Sequence, residues 1–132
     1  MALHGAAAAS PNAVLLVARP EMPDARFLEA VILATRTPDG HTVGVILNRA
    51  GYGGPVMEGA AVALFKSREP PAGPAFEVLK GVFLSMHPAV VEPLRARPSS
   101  PDVRFFSGFS GWVPGQLEAE LAGTAWHVLP AR

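Results

Sequence analysis

Residues Gly108–Trp112, Gly-Phe-Ser-Gly-Trp, come close to the G-x-S-x-G pattern of a serine nucleophile on a sharp strand-to-helix turn. The context is suitable, because aromatic strand formers precede the pattern and a short amphipathic segment, Gln116–Ala122, follows it. The last position is Trp instead of Gly, however, and a catalytic serine needs an oriented base. His127 lies nearby in the sequence, but no acid can be assigned to orient it. A hydrolase that uses Ser110 is one alternative, and a hydroxyl that bonds the local backbone is the other.

The remaining titratable side chains show no metal-binding or acid–base pattern. The sequence has no cysteine, and none of its four histidines has another two or four residues away: His4, His41, His87 and His127. No two carboxylates stand out as a general acid and base. We expect Glu118 and Glu120 to face solvent or to complement the positive end of the short helix. The sequence therefore predicts neither a bound metal nor a cofactor.

Two places offer groups that could bind a ligand without catalysis. Asn48 and Arg49 stand where an apolar strand runs into a glycine loop, and they present an amide and a guanidinium. The alternative is that Asn48 closes a turn and Arg49 is solvated. At the start of the short helix, free N–H groups could hold an anion or a carbonyl oxygen, those of Val113, Gly115 and Gln116. The alternative there is a structural corner anchored by the packing of Trp112.

Composition describes a globular chain and limits its partners. Of 132 residues, 49% are hydrophobic and 17% are charged, which suits a single domain with a core. Eleven basic and eleven acidic side chains give a net charge of zero. We therefore expect no nucleic-acid partner, because such affinity comes from neutralised phosphates. No apolar run approaches the ~18 residues of a membrane helix, and the lack of cysteine suits a reducing compartment, so we predict a cytoplasmic protein without a membrane partner.

Hydrophobic patterns and chain breakers divide the sequence into elements. Met1–Asn12 is alanine-rich and predicted to be a flexible arm, and residues 13–132 are predicted to form one domain. Strands are predicted in seven stretches, the fifth holding one strand or two: Ala13–Ala18, Ala30–Arg36, Thr42–Asn48, Ala60–Lys66, Ala75–Met86, Phe105–Phe106 and Thr124–Leu129. Helical segments are predicted at Arg26–Ala30, Pro88–Arg97 with a kink or early stop at Pro93, and Gln116–Ala122. A glycine turn is expected before the last helix: Gly108 and Gly111 allow a positive φ or a close backbone approach, and Pro114-Gly115 breaks the strand. Because the strands arrive in groups, the fold class is α+β.

Four separated blocks resemble the YqgE/AlgH family of small bacterial proteins. The most specific is Gly-x-x-Gly-Trp-x-x-Gly-Gln-Leu-x-x-Glu, matched by Gly108, Gly111, Trp112, Gly115, Gln116, Leu117 and Glu120. The other three are similar in the expected order: Leu16–Pro20 with Phe27 and Val31, Gly44–Arg49, and Gly53–Val56. One departure lies between the last two, where the family has a longer segment and this chain has only Ala50–Tyr52.

The resemblance implies a fold, a site and a broad role. The fold is α+β, with a strongly curled, barrel-like, mostly antiparallel sheet and two to three short helices packed outside. We expect the blocks to form one ligand-binding cleft from Asn48, Arg49, Gly53, Gly54, Gly108, Gly111, Trp112, Gly115 and Gln116. Members of the family are described as candidate transcriptional regulators, and their molecular activity is unsettled.

Three functions stay open at this point. The first is a non-catalytic binding or regulatory module whose cleft contacts an unknown protein partner or a small anionic ligand. The second is a direct DNA-binding regulator, against which stand the neutral charge balance and the lack of a helix-turn-helix with a basic recognition helix. The third is a serine-type hydrolase that uses Ser110.

Overall fold

A computed structural model describes residues 11–131, which form eight β-strands, two α-helices and one turn of 3₁₀ helix. The strands are β1 (Val14–Ala18), β2 (Val31–Arg36), β3 (Thr42–Ile46), β4 (Val56–Lys66), β5 (Phe76–Leu79), β6 (Val82–Ser85), β7 (Val103–Trp112) and β8 (Trp126–Pro130). The helices are α1 (Pro88–Arg95) and α2 (Gln116–Ala122), and the 3₁₀ turn is Ala25–Phe27. The predicted arm lies outside the described residues except for its last two; Asn12 hydrogen-bonds Thr35 and Arg36 on β2.

All eight strands belong to one antiparallel sheet, in the order β5-β6-β4-β7-β3-β2-β1-β8. This arrangement confirms the α+β class with an antiparallel sheet and short helices. The barrel-like, strongly curled form is wrong, because the sheet is open: within residues 11–131 the outer strands β5 and β8 each pair on one side only. At the β5 edge a local feature accounts for the open sheet. Strand β5 has only four residues, and its pairing with β6 is irregular between Glu77 and Leu79.

Strand β7 joins the two halves of the sheet. Its first half pairs with β4 and its second half with β3. Gly108 has a φ of +72°, and the pairing of β7 with β4 shifts register at this point. The shift brings Phe106 and Phe109, which are three residues apart, into the same hydrophobic cluster. The predicted positive φ at Gly108 and the end of the strand before Pro114-Gly115 are therefore confirmed. The strand runs through both glycines, and the turn follows at Val113–Gly115.

Hydrophobic clusters cover both faces of the sheet. One face carries a cluster whose buried members come from six of the strands, with Leu33, Val45, Val62, Leu84 and Phe106 among them. Because side chains alternate along paired strands, the other two clusters lie on the opposite face. One of them packs α2 and the 3₁₀ turn against β1–β3. The other packs α1 against β4 and β6, where the rings of Phe65 and Phe83 stack with centroids 5.9 Å apart.

The boundaries of α1 follow from its sequence. His87 caps the helix, since its Nδ1 accepts a hydrogen bond from the N–H of Ala89 at 3.1 Å, and Pro88 occupies the first turn. Pro93 has no N–H to donate to the carbonyl of Ala89, and the helix ends at Arg95. An early stop at Pro93 is therefore wrong, since the helix continues through Pro93, although it ends two residues before the predicted Arg97. Neither helix in the described part of the chain is long and apolar enough to cross a membrane.

Candidate functional site

The tryptophan block is organised around one carboxylate. Oε1 of Glu120 accepts hydrogen bonds from the indole N–H groups of Trp112, at 3.0 Å, and Trp126, at 2.9 Å. Both indoles are buried, and their rings meet edge to face with centroids 6.1 Å apart. Phe27 of the 3₁₀ turn completes this indole–carboxylate cluster, 5.7 Å from the Trp126 ring. The expectation that Glu120 faces solvent or the helix dipole is therefore wrong, since its carboxylate ties α2 to β7 and β8.

Gln116 closes the turn between β7 and α2. Its Oε1 accepts a hydrogen bond from the N–H of Val113 at 3.1 Å, and its Nε2 donates to Oε2 of Glu120 at 3.2 Å. The N–H of Gln116 donates in turn to the carbonyl of Val113 at 3.0 Å. Two of the three N–H groups considered for an anion site are thus engaged within the turn. Gly115, the third, is the N-cap residue that precedes α2, with a φ of +86°, a left-handed conformation that favours glycine.

The two glycine blocks are in direct contact. The N–H of Gly53 donates to the carbonyl of Ser107 at 2.9 Å, which holds the glycine loop Gly51–Pro55 against β7. A Cβ atom on Gly53 would lie 2.3 Å from the carbonyl oxygen of Gly108, and a Cβ atom on Gly108 would lie 2.5 Å from that of Gly54. Close approach of the two backbones therefore requires glycine at these positions. We call Gly53, Gly54 and Gly108 the interlocked glycines.

Ser110 is placed to support this contact. Its side chain is fully buried, and its Oγ donates a hydrogen bond to the carbonyl oxygen of Gly53 at 3.1 Å. The hydroxyl therefore bonds the backbone as predicted, although the partner is a distant segment and not the local turn. Within residues 11–131 no histidine or carboxylate hydrogen-bonds Ser110, and His127 is exposed on β8. The geometry of a serine triad is not assembled around this residue.

The side chains of Asn48 and Arg49 hydrogen-bond the backbone of the segment that leads into β2. The side chain of Asn48 accepts a hydrogen bond from the N–H of Val31 at 2.9 Å and donates to the carbonyl of Glu29 at 2.8 Å. The guanidinium of Arg49 donates to the carbonyl of Leu28 at 2.9 Å and to that of Arg26 at 2.5 Å. The polar groups of both side chains are hydrogen-bonded to backbone N–H and carbonyl groups. Both residues therefore position the 3₁₀ turn and its Phe27 against the indoles.

A groove of about 620 Å³ opens beside Trp112, between the β2–β3 hairpin and the end of β7. Its volume lies within the range of small-molecule and side-chain pockets. We call it the apolar groove, because its walls are mainly hydrophobic: Val43, Val56, Phe76, Phe109, Trp112 and Val113. Val113 stands at the rim with 57% of its surface exposed. A smaller pocket of about 180 Å³ shares Val56 and Trp112 with the groove and reaches Phe27 and Glu120.

The predicted site residues divide into three groups. Gly111, Trp112 and Gln116 line the apolar groove and the smaller pocket. The interlocked glycines lie behind these residues and are buried. Asn48, Arg49 and Gly115 line neither pocket and hold backbone segments in place. The structure thus brings the glycine loop Gly51–Pro55 and the Gly-Trp strand together. The Asn-Arg pair adjoins that loop along the backbone, but its side chains reach the segment around the 3₁₀ turn and not the pockets.

Several residues of the site are not identified by the sequence pattern. Val43 and Phe109 look like ordinary strand residues, and only the pairing of β3 with β7 brings them to the groove. Glu120 carries a usable signal: it lies four residues after Gln116, on the same helical face, near two tryptophans. A buried indole N–H needs an acceptor, and a carboxylate so close in sequence is the natural candidate.

Tyr52 allows a direct test of this region by titration. Its hydroxyl donates a hydrogen bond to Oε2 of Glu58 at 2.7 Å, and this bond raises the pKa of Tyr52 above the ordinary value of 10.0. A raised pKa means that the bond stabilises the fold below pH 10.0 and that this contribution is lost as the pH rises through the folded-state pKa. Tyr52 is the chain's single tyrosine, so the phenolate absorbance of the native protein should titrate with a midpoint above 10.0.

Removing the carboxylate should return this titration to normal. In Glu58→Ala the midpoint of Tyr52 should fall toward 10.0, whereas Glu69→Ala, on a distant loop, should leave it raised. Far-ultraviolet circular dichroism at each pH establishes that the protein is still folded. A native midpoint that does not move in Glu58→Ala would show that the hydrogen bond does not form in solution.

Comparisons with known proteins agree with one another. A family model described as AlgH-like matches residues 50–132. A UPF0301 protein of Mycobacteroides abscessus is 33% identical over 144 residues, which cover 89% of this chain and 68% of that protein. A UPF0301 protein of Streptomyces coelicolor is 31% identical over 140 residues, covering 87% and 72%. The solution structure of the AlgH protein from Pseudomonas aeruginosa has a TM-score of 0.74 at 24% identity, covering 94% of this chain and 80% of that one. A crystal structure of a protein from Corynebacterium diphtheriae has a TM-score of 0.67 at 23% identity, covering 96% and 81%.

Proposed function

This chain belongs to the AlgH-like family, and we propose that it is a non-catalytic binding module whose apolar groove holds hydrophobic side chains of a protein partner. The observation that carries the proposal is that the polar groups around Trp112 bond within the protein, whereas the open surface beside them is apolar. The polar groups next to Trp112 are bonded internally: the hydroxyl of Ser110, the carboxylate of Glu120 and the amide of Gln116. At the hairpin side of the groove, Asp39 and His41 face each other, with 3.2 Å between Oδ1 and Nδ1. The open surface beside Trp112 is apolar and concave. Such a surface is suited to recognition rather than to proton or group transfer.

The walls of the groove also support a specific fit. Trp112 is fixed by its bond to Glu120 and by its aromatic neighbours, so the groove has one rigid wall. Val56 lies next to the interlocked glycines, which hold it near Gly111. A preformed hydrophobic surface loses little conformational entropy on binding.

Selection of peptides from a displayed random library tests the proposal even though the partner is unidentified. We expect selected peptides to share hydrophobic anchor residues. In ¹⁵N-correlation spectra of the protein, the tightest peptide should shift the amide signals of Val43, Val56, Gly111 and Val113. The variant Val113→Glu should weaken its binding by about tenfold or more, because a charge at the rim must be desolvated against an apolar anchor.

Val128→Glu is the matched control, since Val128 is another exposed apolar residue, at 45%, and it lies on β8 away from the groove. This variant should bind the peptide as the parent protein does. A selected peptide that shifts signals elsewhere, or that binds both variants equally well, would rule out the groove as the recognition surface. A gel mobility-shift series over increasing salt tests the DNA-binding alternative; steeply salt-dependent, sequence-specific binding would replace the proposed function.

A further inference from the structure

A second concave surface lies at the start of β7, whereas the apolar groove lies at the end of that strand. It is a cavity of about 570 Å³ between α1, the loop that follows β4 and the loop that precedes β7. Its floor is hydrophobic, formed by the buried Val90 of α1 and by Leu94, Val103 and Phe105. Phe105 keeps 37% of its surface exposed although β7 is an inner strand of the sheet. An aromatic ring is therefore available to a ligand at this floor.

Basic side chains stand around the cavity. Three of its lining residues are cationic, Lys66, Arg95 and Arg97, whereas one is acidic, Asp102. Arg95 is neutralised by Glu92 on the same helix, at 3.1 Å between Nη1 and Oε2. In the described part of the chain, neither Lys66 nor Arg97 has a carboxylate within 4.0 Å.

The two free cations approach from different elements. Lys66 ends β4, and its N–H donates to the carbonyl of Asp102 at 3.0 Å, which joins the strand end to the loop before β7. Arg97 lies two residues after the end of α1, in the loop that connects α1 to β7. A ligand head group at the rim would therefore meet an ammonium and a guanidinium, while its body rested on the hydrophobic floor. Charge complementarity favours an anion there, and the floor requires that the anion carry an apolar tail.

We propose that this cavity binds a small amphipathic carboxylate, with its head group at Lys66 and Arg97 and its tail over Val90 and Phe105. The cavity shares no lining residue with the apolar groove, so this site is independent of the proposed function. Its volume falls in the range of sites that hold small organic ligands. The head group selects for charge and the floor selects for an aliphatic or aromatic body.

Titration with decanoate, and with decanol as the neutral analogue, tests both halves of the proposal by NMR below the micelle concentrations. Decanoate should cause saturable shifts of the amide signals of Val90, Leu94 and Phe105. It should bind about tenfold more tightly than decanol, as expected for one or two charge-assisted contacts at a partly exposed site. Decylamine, with the opposite charge, should bind more weakly than decanol.

Two variants and one control assign the contacts. The double variant Lys66→Met, Arg97→Met keeps the aliphatic stems and should reduce decanoate affinity to that of decanol. Ala72→Trp fills the exposed entrance of the cavity and should weaken binding of both compounds. Arg68→Met, on the same loop but outside the lining, should change neither affinity. Absence of saturable binding, equal affinity for decanoate and decanol, or unchanged binding in the double variant would each overturn the proposal.

Discussion

Replacing Glu120 by alanine is expected to lower the free energy of unfolding by about 2–4 kcal/mol. The substitution leaves two indole N–H groups, those of Trp112 and Trp126, without their acceptor at a site where both rings are buried. Each buried donor left unpaired costs about 1–3 kcal/mol. The bond to Gln116 is lost as well. Guanidinium denaturation followed by far-ultraviolet circular dichroism measures the change independently of the altered indole environment.

Glu118→Ala is the matched control two residues away on the same helix. Glu118 forms an exposed ion pair with Arg36, at 2.5 Å between Oε2 and Nη2, and such a pair contributes less than about 1 kcal/mol. A double-mutant cycle between Glu120→Ala and Trp126→Phe should show a coupling well above measurement error, because the two side chains share one bond. Equal effects of Glu118→Ala and Glu120→Ala would mean that the cluster does not depend on its carboxylate.

Replacing Gly54 by alanine is expected to destabilise the fold by more than about 3 kcal/mol, and the variant should accumulate poorly as folded protein. Gly54 has a φ of +151°, which L residues rarely adopt, and its Cβ atom would lie 2.4 Å from the carbonyl carbon of Phe109. The neighbour is backbone of an inner strand and cannot move aside without breaking the sheet. Soluble yield and thermal midpoint measure the effect.

The control for this substitution is Gly59→Ala in β4. A Cβ atom on Gly59 would meet no other atom within 4 Å, and its φ is not positive. Its stability should therefore stay within about 0.5 kcal/mol of the parent protein, as for an ordinary surface substitution. If Gly54→Ala were as stable as Gly59→Ala, the close contact between the glycine loop Gly51–Pro55 and β7 would not exist in solution.

Local sequence signals are sufficient for most of the elements. Pro38-Asp39-Gly40 predicts the β2–β3 hairpin because proline and glycine supply the turn's backbone angles. Lys80-Gly81 marks the junction of β5 and β6, because Gly81 takes the positive φ of +77° that this turn requires. The start of β4 at Val56 is not predicted, since Met57–Gly59 has weak strand propensity and enters the strand only through its surroundings. Sheet closure is not predictable either, because it depends on which edges find partners.

The candidate site is predictable in its centre and not in its walls. Trp112 and the glycines stand out by residue type alone. Their roles depend on contacts across long sequence separations, such as Gly53 with Gly108 and Asn48 with Glu29. The same is true of Ser110, whose hydroxyl reaches a carbonyl 57 positions away. Residue types indicate where backbones must approach closely, but they do not indicate the partner.

The position of β7 in the chain has a consequence for synthesis on the ribosome. Among the described strands it alone connects β5-β6-β4 with β3-β2-β1-β8, yet it ends at residue 112. The nascent chain therefore carries β5-β6-β4 and β3-β2-β1 with unpaired edges on β3 and β4 until residues 103–112 have emerged. Such edges can pair with other chains, so a stalled or truncated product that stops before β7 should be a substrate for chaperones and should aggregate.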